Sequence, residues 1–283
     1  MVSCVLLAAC GGATDPSSGR SRAEAGSTTD PPAQATTTTL PARGDASDAE
    51  LAAIGRVRRA VELLLDEPAV EIRYEGAVGH AEVTAAATVR NDLGTLRSSE
   101  AFASGEGDGD PITSEDVLTS DALYVRILGP RDDPDTAPWS KLEPGIIRSD
   151  LLEEIYTGQG AAGKSLPRLV GLMEAIPFEI EGSGPAPEDA SPDLVRVSFR
   201  AADIADLFRA TGAERVGAGE PSGVTRYAFA IDAVTGLLRG LRADGTQFHD
   251  GEAIEDVDVR LSYAPVAPQD PTAPPDKLVR SGR

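Results

Sequence analysis

Apolar residues first recur at helical spacing over Leu51, Ile54, Val57, Val61, Leu64 and Leu65, while Arg56, Arg58, Arg59 and Glu62 fall largely off that stripe. Ser47 and Glu50 stand at capping-box spacing just before it, and Pro68 stops it. The pattern predicts an amphipathic helix that must lay its apolar face on something. The period then changes to two. Val70, Ile72 and Tyr74 alternate with Glu71, Arg73 and Glu75, and Val83, Ala85, Ala87 and Val89 alternate with Glu82, Thr84, Thr88 and Arg90. Asn91–Gly94 reads as a turn, Thr95–Ser104 as a weaker strand, Gly105–Pro111 as a loop, Val117-Leu118 as a short strand and Leu123–Leu128 as a full one.

A loop with three aspartates, Pro130–Pro138, leads to Trp139-Ser140-Lys141-Leu142. Two helices are predicted next. Ser149 and Asp150 start the first, which carries Leu152, Ile155 and Tyr156 and ends at Gly158. Leu169, Leu172, Met173 and Ile176 mark the second, stopped by Pro177. Phe178 and Ile180 give a strand before the loop Gly182–Pro192, and Leu194–Phe199 gives another. Ile204, Leu207 and Phe208 form a short helix. Tyr227, Phe229 and Ile231 pair across the turn Ala233–Gly236 with Leu237–Arg242. Val257, Val259, Leu261 and Tyr263 close the series, and Pro265–Pro275 is an extended tail. One wet and one apolar face per strand, with short turns between neighbours, predicts antiparallel pairing. The order helix, strands, helices, strands predicts an α+β domain with a single curved antiparallel sheet.

Composition changes the picture in three ways. The 283 residues carry a formal net charge of −20, which excludes nucleic acid as a partner, because phosphate binding needs a basic surface. Arg far outnumbers Lys, and Ala, Gly, Pro and Val abound, the bias of a GC-rich genome such as an actinobacterium's. The cysteines are Cys4 and Cys10. Leu7-Ala8-Ala9-Cys10-Gly11 follows Val5-Leu6 and resembles the lipobox of bacterial lipoproteins. That resemblance implies cleavage before Cys10 and a lipid on its sulfur, so the mature chain would be tethered to the membrane on its extracytoplasmic side. Met1-Val2-Ser3 carries no Lys or Arg and the apolar run is short, so the signal reads as truncated. Residues from Gly11 to about Ser47, rich in Gly, Ser, Thr, Pro and Ala, cannot bury enough apolar surface to order themselves and read as a flexible tether. The expected division is 1–9 signal, 10–48 tether, 49–283 folded domain.

The pieces Leu51–Leu65, the strands from Val70 to Leu128, Trp139–Leu142, the helix Leu169–Ile176, the hairpin Tyr227–Ile231/Leu237–Arg242 and the closing strand Val257–Tyr263 resemble the LolA-like envelope lipoproteins of the LppX/LprG type. The resemblance implies a half-open barrel with amphipathic helices on its concave face and an apolar cavity between. It further implies an acyl lipid or glycolipid ligand carried or handled at the cell envelope, with no catalytic residues and no cofactor. The candidate cavity lining is Val83, Val89, Val125, Leu172, Met173, Val197, Phe199 and Phe229. For each of these positions the default role is packing in a solid core. Two other readings stand beside the carrier: a sensor module that binds an envelope protein partner, and a hydrolase on a similar scaffold.

The chain holds no nucleophile elbow, Walker loop, dinucleotide fingerprint or zincin motif. His80 and His249 are far apart in sequence and read as strand or turn residues. Glu106, Asp108 and Asp110 invite a calcium reading but lack EF-hand spacing, so a solvated hairpin tip is expected. Asp132, Asp133 and Asp135 are read in the same way, as are Glu252, Glu255, Asp256 and Asp258. No metal site is expected.

Overall fold

A computed structural model describes residues 46–104, 111–143, 147–158, 162, 165–185, 193–211, 223–249 and 252–281. Cys10, the tether and the Glu106–Asp110 loop lie outside the described residues. All described residues fall within the compact unit Leu40–Arg283.

The first helix, α1 (Asp48–Asp66), begins where the spacing predicts. Ser47 accepts from the Glu50 backbone N–H, and the Glu50 carboxylate accepts from the Ser47 N–H at 2.7 Å. Two donors at the helix start are thereby satisfied reciprocally. Replacing Ser47 with Ala is expected to cost about 1 kcal/mol, readable as a lower midpoint in urea unfolding with an unchanged slope. Ile54, Val57, Val61 and Leu64 are buried, but Leu51 is 56% exposed. The polar face holds ion pairs from Arg56 to Asp193 (3.0 Å) and from Arg58 to Glu174.

Twelve strands build one open sheet: β1 (Ala69–Val78), β2 (Ala81–Arg90), β3 (Thr95–Ser104), β4 (Ile112–Leu118), β5 (Leu123–Leu128), β6 (Trp139–Leu142), β7 (Glu179–Pro185), β8 (Asp193–Ser198), β9 (Gly223–Ile231), β10 (Leu238–His249), β11 (Glu252–Pro265) and β12 (Val279–Ser281). Their spatial order is β12-β6-β5-β4-β3-β2-β1-β11-β10-β9-β8-β7. Every pairing is antiparallel except β12 against β6. The α+β class with one antiparallel-dominated sheet is therefore as predicted. The β1–β11 ladder joins the first and last long strands at the middle of the sheet.

Residues directly opposite each other across a ladder share a face. The rows Val70/Val89/Leu96/Leu118/Leu123 and Tyr227/Val197 join α1 in one buried cluster. That inner face carries the helices. α1 packs on α3 (Leu166–Ala175) and on β9 and β10, while α4 (Ala201–Thr211) packs on β10. α2 (Ile147–Glu154) runs into a 3-10 turn, Ile155–Thr157, ended by Gly158 at φ +67°.

Four local expectations shift. β4 is longer than Val117-Leu118, because Ile112–Asp116 find partners on β3 and β5. β7 runs on through Pro185, inside the predicted Gly182–Pro192 loop, since β8 supplies its ladder partners. α2 begins at Ile147, two residues before Ser149. The tail does more than extend. Val266 donates to the Ala69 carbonyl, Arg90 pairs with Asp270, and β12 then covers the free edge of β6, which removes an exposed strand edge.

Candidate functional site

The 3-10 turn after α2 is pinned over the inner face of β1–β3. Tyr263 of β11 donates to the Tyr156 carbonyl at 2.6 Å, and Tyr156 donates to the Asn91 side chain at 2.8 Å in the β2–β3 turn. Gly158 is held so close to the Tyr74 ring that a Cβ there would sit 2.6 Å from Cε2. Beneath this roof lies a cavity of about 10 Å³, at the threshold for one water molecule. Its floor is Ile72 and Tyr74 of β1, Ala85 and Ala87 of β2, and Ser98 and Glu100 of β3, with Ile155 and Gly158 above. The space exists because the facing side chains are small: two alanines below and a glycine above.

Two carboxyl groups stand on this face. Glu100 is 5% exposed and makes no hydrogen bond to any described residue. Burial, and then the Asp116 carboxylate, push its pKa up to about 8. Asp116, 7% exposed, is raised to about 6 by burial, which outweighs the hydrogen bond it accepts from Ser98 at 3.5 Å. Burial, then Glu100 and Glu255, raise Tyr74 far above its ordinary value. Glu255 is itself raised by burial.

The inner face of β1–β6 presents no Arg or Lys among the described residues. Arg97 and Arg126 have the opposite parity, and Arg126 is spent on Glu115 at 2.6 Å and on the Trp139 ring at 4.4 Å. Beyond Glu100 the inner face turns apolar and more open. Cross-strand from Glu100 and Ser114 comes Ile127, 49% exposed. Phe102, half-buried, faces Ile112, 37% exposed.

Val83, Val89, Val125, Leu172, Met173, Val197, Phe199 and Phe229 are all placed in one packed core, each at most 8% exposed. Phe178, Phe199, Tyr227 and Phe229 form a chain of ring contacts at 5.8–6.1 Å. None of the eight lines the cavity. The cavity's polar members escape a reading that weights apolar residues. Their signal is parity: Leu96, Ser98, Glu100 and Phe102 alternate on one face, so two polar residues sit between two apolar ones on the buried side.

Asp132, Asp133, Asp256 and Asp258 have local roles, and the Glu252 side chain lies outside what the structure describes. Asp132 accepts from the Gly129 N–H at 2.7 Å and Asp133 from the Asp135 N–H at 2.9 Å, which makes them turn formers. Asp256 bonds Thr246 and Asp258 pairs with Arg242. His80 is exposed at the β1–β2 turn, and His249 ends β10. Among the described residues no helix is long and apolar enough to cross a membrane.

No protein-family model matches the chain, and no curated protein matches it. Among solved structures the chain is similar to LprF from Mycobacterium bovis, at 13% identity and a TM-score of 0.41, covering 78% of this chain and 97% of that one. It is similar to the Mycobacterium tuberculosis lipoprotein LppX at 13% identity and 0.38, covering 77% and 95%. It is also similar to an uncharacterized conserved protein from Thermus thermophilus at 10% identity and 0.37, covering 82% and 99%. Likenesses this distant assign neither ligand nor activity.

Proposed function

We propose that the chain is an extracytoplasmic lipoprotein, anchored by a lipid on Cys10, whose folded domain binds a hydrophobic ligand, an acyl lipid or glycolipid, for carriage or handling at the cell envelope. The observation that carries this reading is the open end of the inner sheet face, where Phe102, Ile112 and Ile127 stay partly exposed beside a roofed cavity. An acyl chain laid there gains about 0.8 kcal/mol per methylene removed from water. Reaching Val83, Val89, Val125, Leu172, Met173, Val197, Phe199 and Phe229 would need the helices to part from the sheet, because those side chains are packed. That filled core favours a second reading, in which the same apolar strip docks a protein partner.

The test is titration of the purified domain with an uncharged fluorescent diacylglycerol. The carrier reading expects saturable binding that unlabelled diacylglycerol displaces. Ile127→Asp, at a half-exposed position, is expected to weaken binding about tenfold through lost apolar contact and a misplaced charge. Absence of saturable binding sinks the carrier reading and leaves the partner. Mass spectrometry of protein purified from its own membranes tests the anchor, which requires a diacyl mass on a peptide that begins at Cys10.

A further inference from the structure

Glu100 is an unusual group to leave in a core. It is only 5% exposed, it lines a cavity, and no described residue satisfies it. A buried carboxyl without a partner costs more than either an apolar side chain or a paired acid. Asp116 compounds the effect, because it adds negative charge and the described inner face of β1–β6 presents no cation. Among the described residues nothing of opposite charge completes this pair.

The space sets the size of what completes it. About 10 Å³ admits a group of the size of one water molecule. A primary ammonium has that size and three donors. A trimethylammonium, a phosphate or a sugar ring does not fit, and the carboxyl cluster repels phosphate and carboxylate heads. The Tyr74 ring on the cavity wall adds an aromatic surface that favours a cation. From Glu100 the apolar strip Phe102, Ile112 and Ile127 runs outward on the same face, where an attached chain would lie.

We infer that the Tyr74/Ser98/Glu100 cavity is a head-group site for a primary ammonium carried on an aliphatic chain. The ammonium enters the cavity and donates to the Glu100 carboxylate, with Ser98 and Asp116 alongside. Binding displaces the Glu100 proton to solvent, so one proton leaves for each ammonium bound while Glu100 is protonated. This inference rests on the hydrophobic-ligand reading for the chain but not for the head.

The experiment is calorimetric titration of the full domain at pH 7.5 with dodecylammonium, dodecanol, laurate, dodecyltrimethylammonium and butylammonium. The expected result is dodecylammonium at least tenfold tighter than the other twelve-carbon probes, the scale of one charged hydrogen bond. Proton release should appear as a dependence of the heat on buffer ionisation. Butylammonium separates a free amine from an aminolipid, and binding as tight as dodecylammonium's would overturn the role of the chain. Glu100→Gln preserves volume and is expected to abolish the ammonium preference and the proton release, so that dodecylammonium binds no more tightly than dodecanol. Its folding is checked by circular dichroism. In the wild type, the Glu100 side-chain carbon resonance should shift to its ionised position when dodecylammonium is added. Equal affinity for all twelve-carbon probes overturns the ammonium site and leaves the hydrophobic-ligand reading standing. No binding by any probe overturns both.

Discussion

Raising the pH from 5 to 9 is expected to destabilise the folded domain by several kcal/mol, in a chain whose formal net charge is already −20. Glu100 moves from an ordinary 4.5 to about 8 on folding, because burial and the Asp116 charge disfavour its ionised form. In that window the native state holds a proton the unfolded chain has released. The unfolded state binds fewer protons, so stability falls as pH rises. The contribution is fully present below about 4.5 and is lost as pH passes through 8. At about 1.4 kcal/mol per pKa unit, the shift corresponds to on the order of 5 kcal/mol. Asp116 adds a smaller effect of the same sign between its ordinary 3.8 and about 6. Asp232, lowered to about 2 mainly by backbone N–H groups of Thr235 and Val234, has the opposite sign but acts only below its ordinary 3.8. For a domain of this size the fall amounts to about 10 °C or more in midpoint temperature. Thermal unfolding at pH 5, 7 and 9 reads it directly. Glu100→Gln should remove most of the slope, and Asp116→Asn only its acid part. Parallel profiles for wild type and Glu100→Gln would sink the assignment.

These two carboxyls also mark where the sequence stops being legible. The capping box at Ser47, the alternation in Val70–Tyr74 and Val83–Val89, and the αL stop at Gly158 are local signals, and the chain obeys them locally. β12 is only three residues, Val279–Ser281, with no period to read. It is a strand because β6 offers a free edge. β7 likewise continues through Gly182-Ser183-Gly184, residues that read as loop, because β8 lies alongside. Tertiary pairing decides both, and neither partner is visible from the segment itself.

The site follows the same logic. Apolar identity marks Val83, Leu172 and Phe229 as buried, but burial is common to a packed core and to a ligand wall. What distinguishes the cavity is the smallness of Ala85 and Ala87 on one side and of Gly158 on the other, facing in space and distant in sequence. Such a coincidence of small residues has no linear signature. Glu100 does have one, in the parity it shares with Leu96 and Phe102. Glu100 is a charged residue in phase with a core row, well inside β3 with ladder partners on both sides, and that is what singles it out.

The second large effect lies at the seam where the sheet's two halves meet. Gly76→Ala drives a Cβ into the Asp258 carbonyl oxygen and places it 2.6 Å from the Val259 Cα. Both are backbone atoms of β11, so no rotamer change relieves the contact, and β1 must move away from β11. That ladder connects β2 through β6 with β10 through β7, so the cost falls on the whole sheet. We expect a loss of about 3 kcal/mol or more, the upper range for overpacking, and a midpoint lowered by roughly 6–12 °C. Gly171→Ala in α3 is the matched comparison, because nothing lies within 4 Å of its added Cβ. A mid-helix glycine replaced by alanine without a clash should gain about 0.5–1 kcal/mol. The two variants add the same methyl group and should move urea midpoints in opposite directions. If Gly76→Ala unfolds at the wild-type midpoint, β1 and β11 are not paired in the register Gly76↔Val259, and the placement of Tyr263 beside Ile72, from which it holds the Tyr156 carbonyl, falls with it.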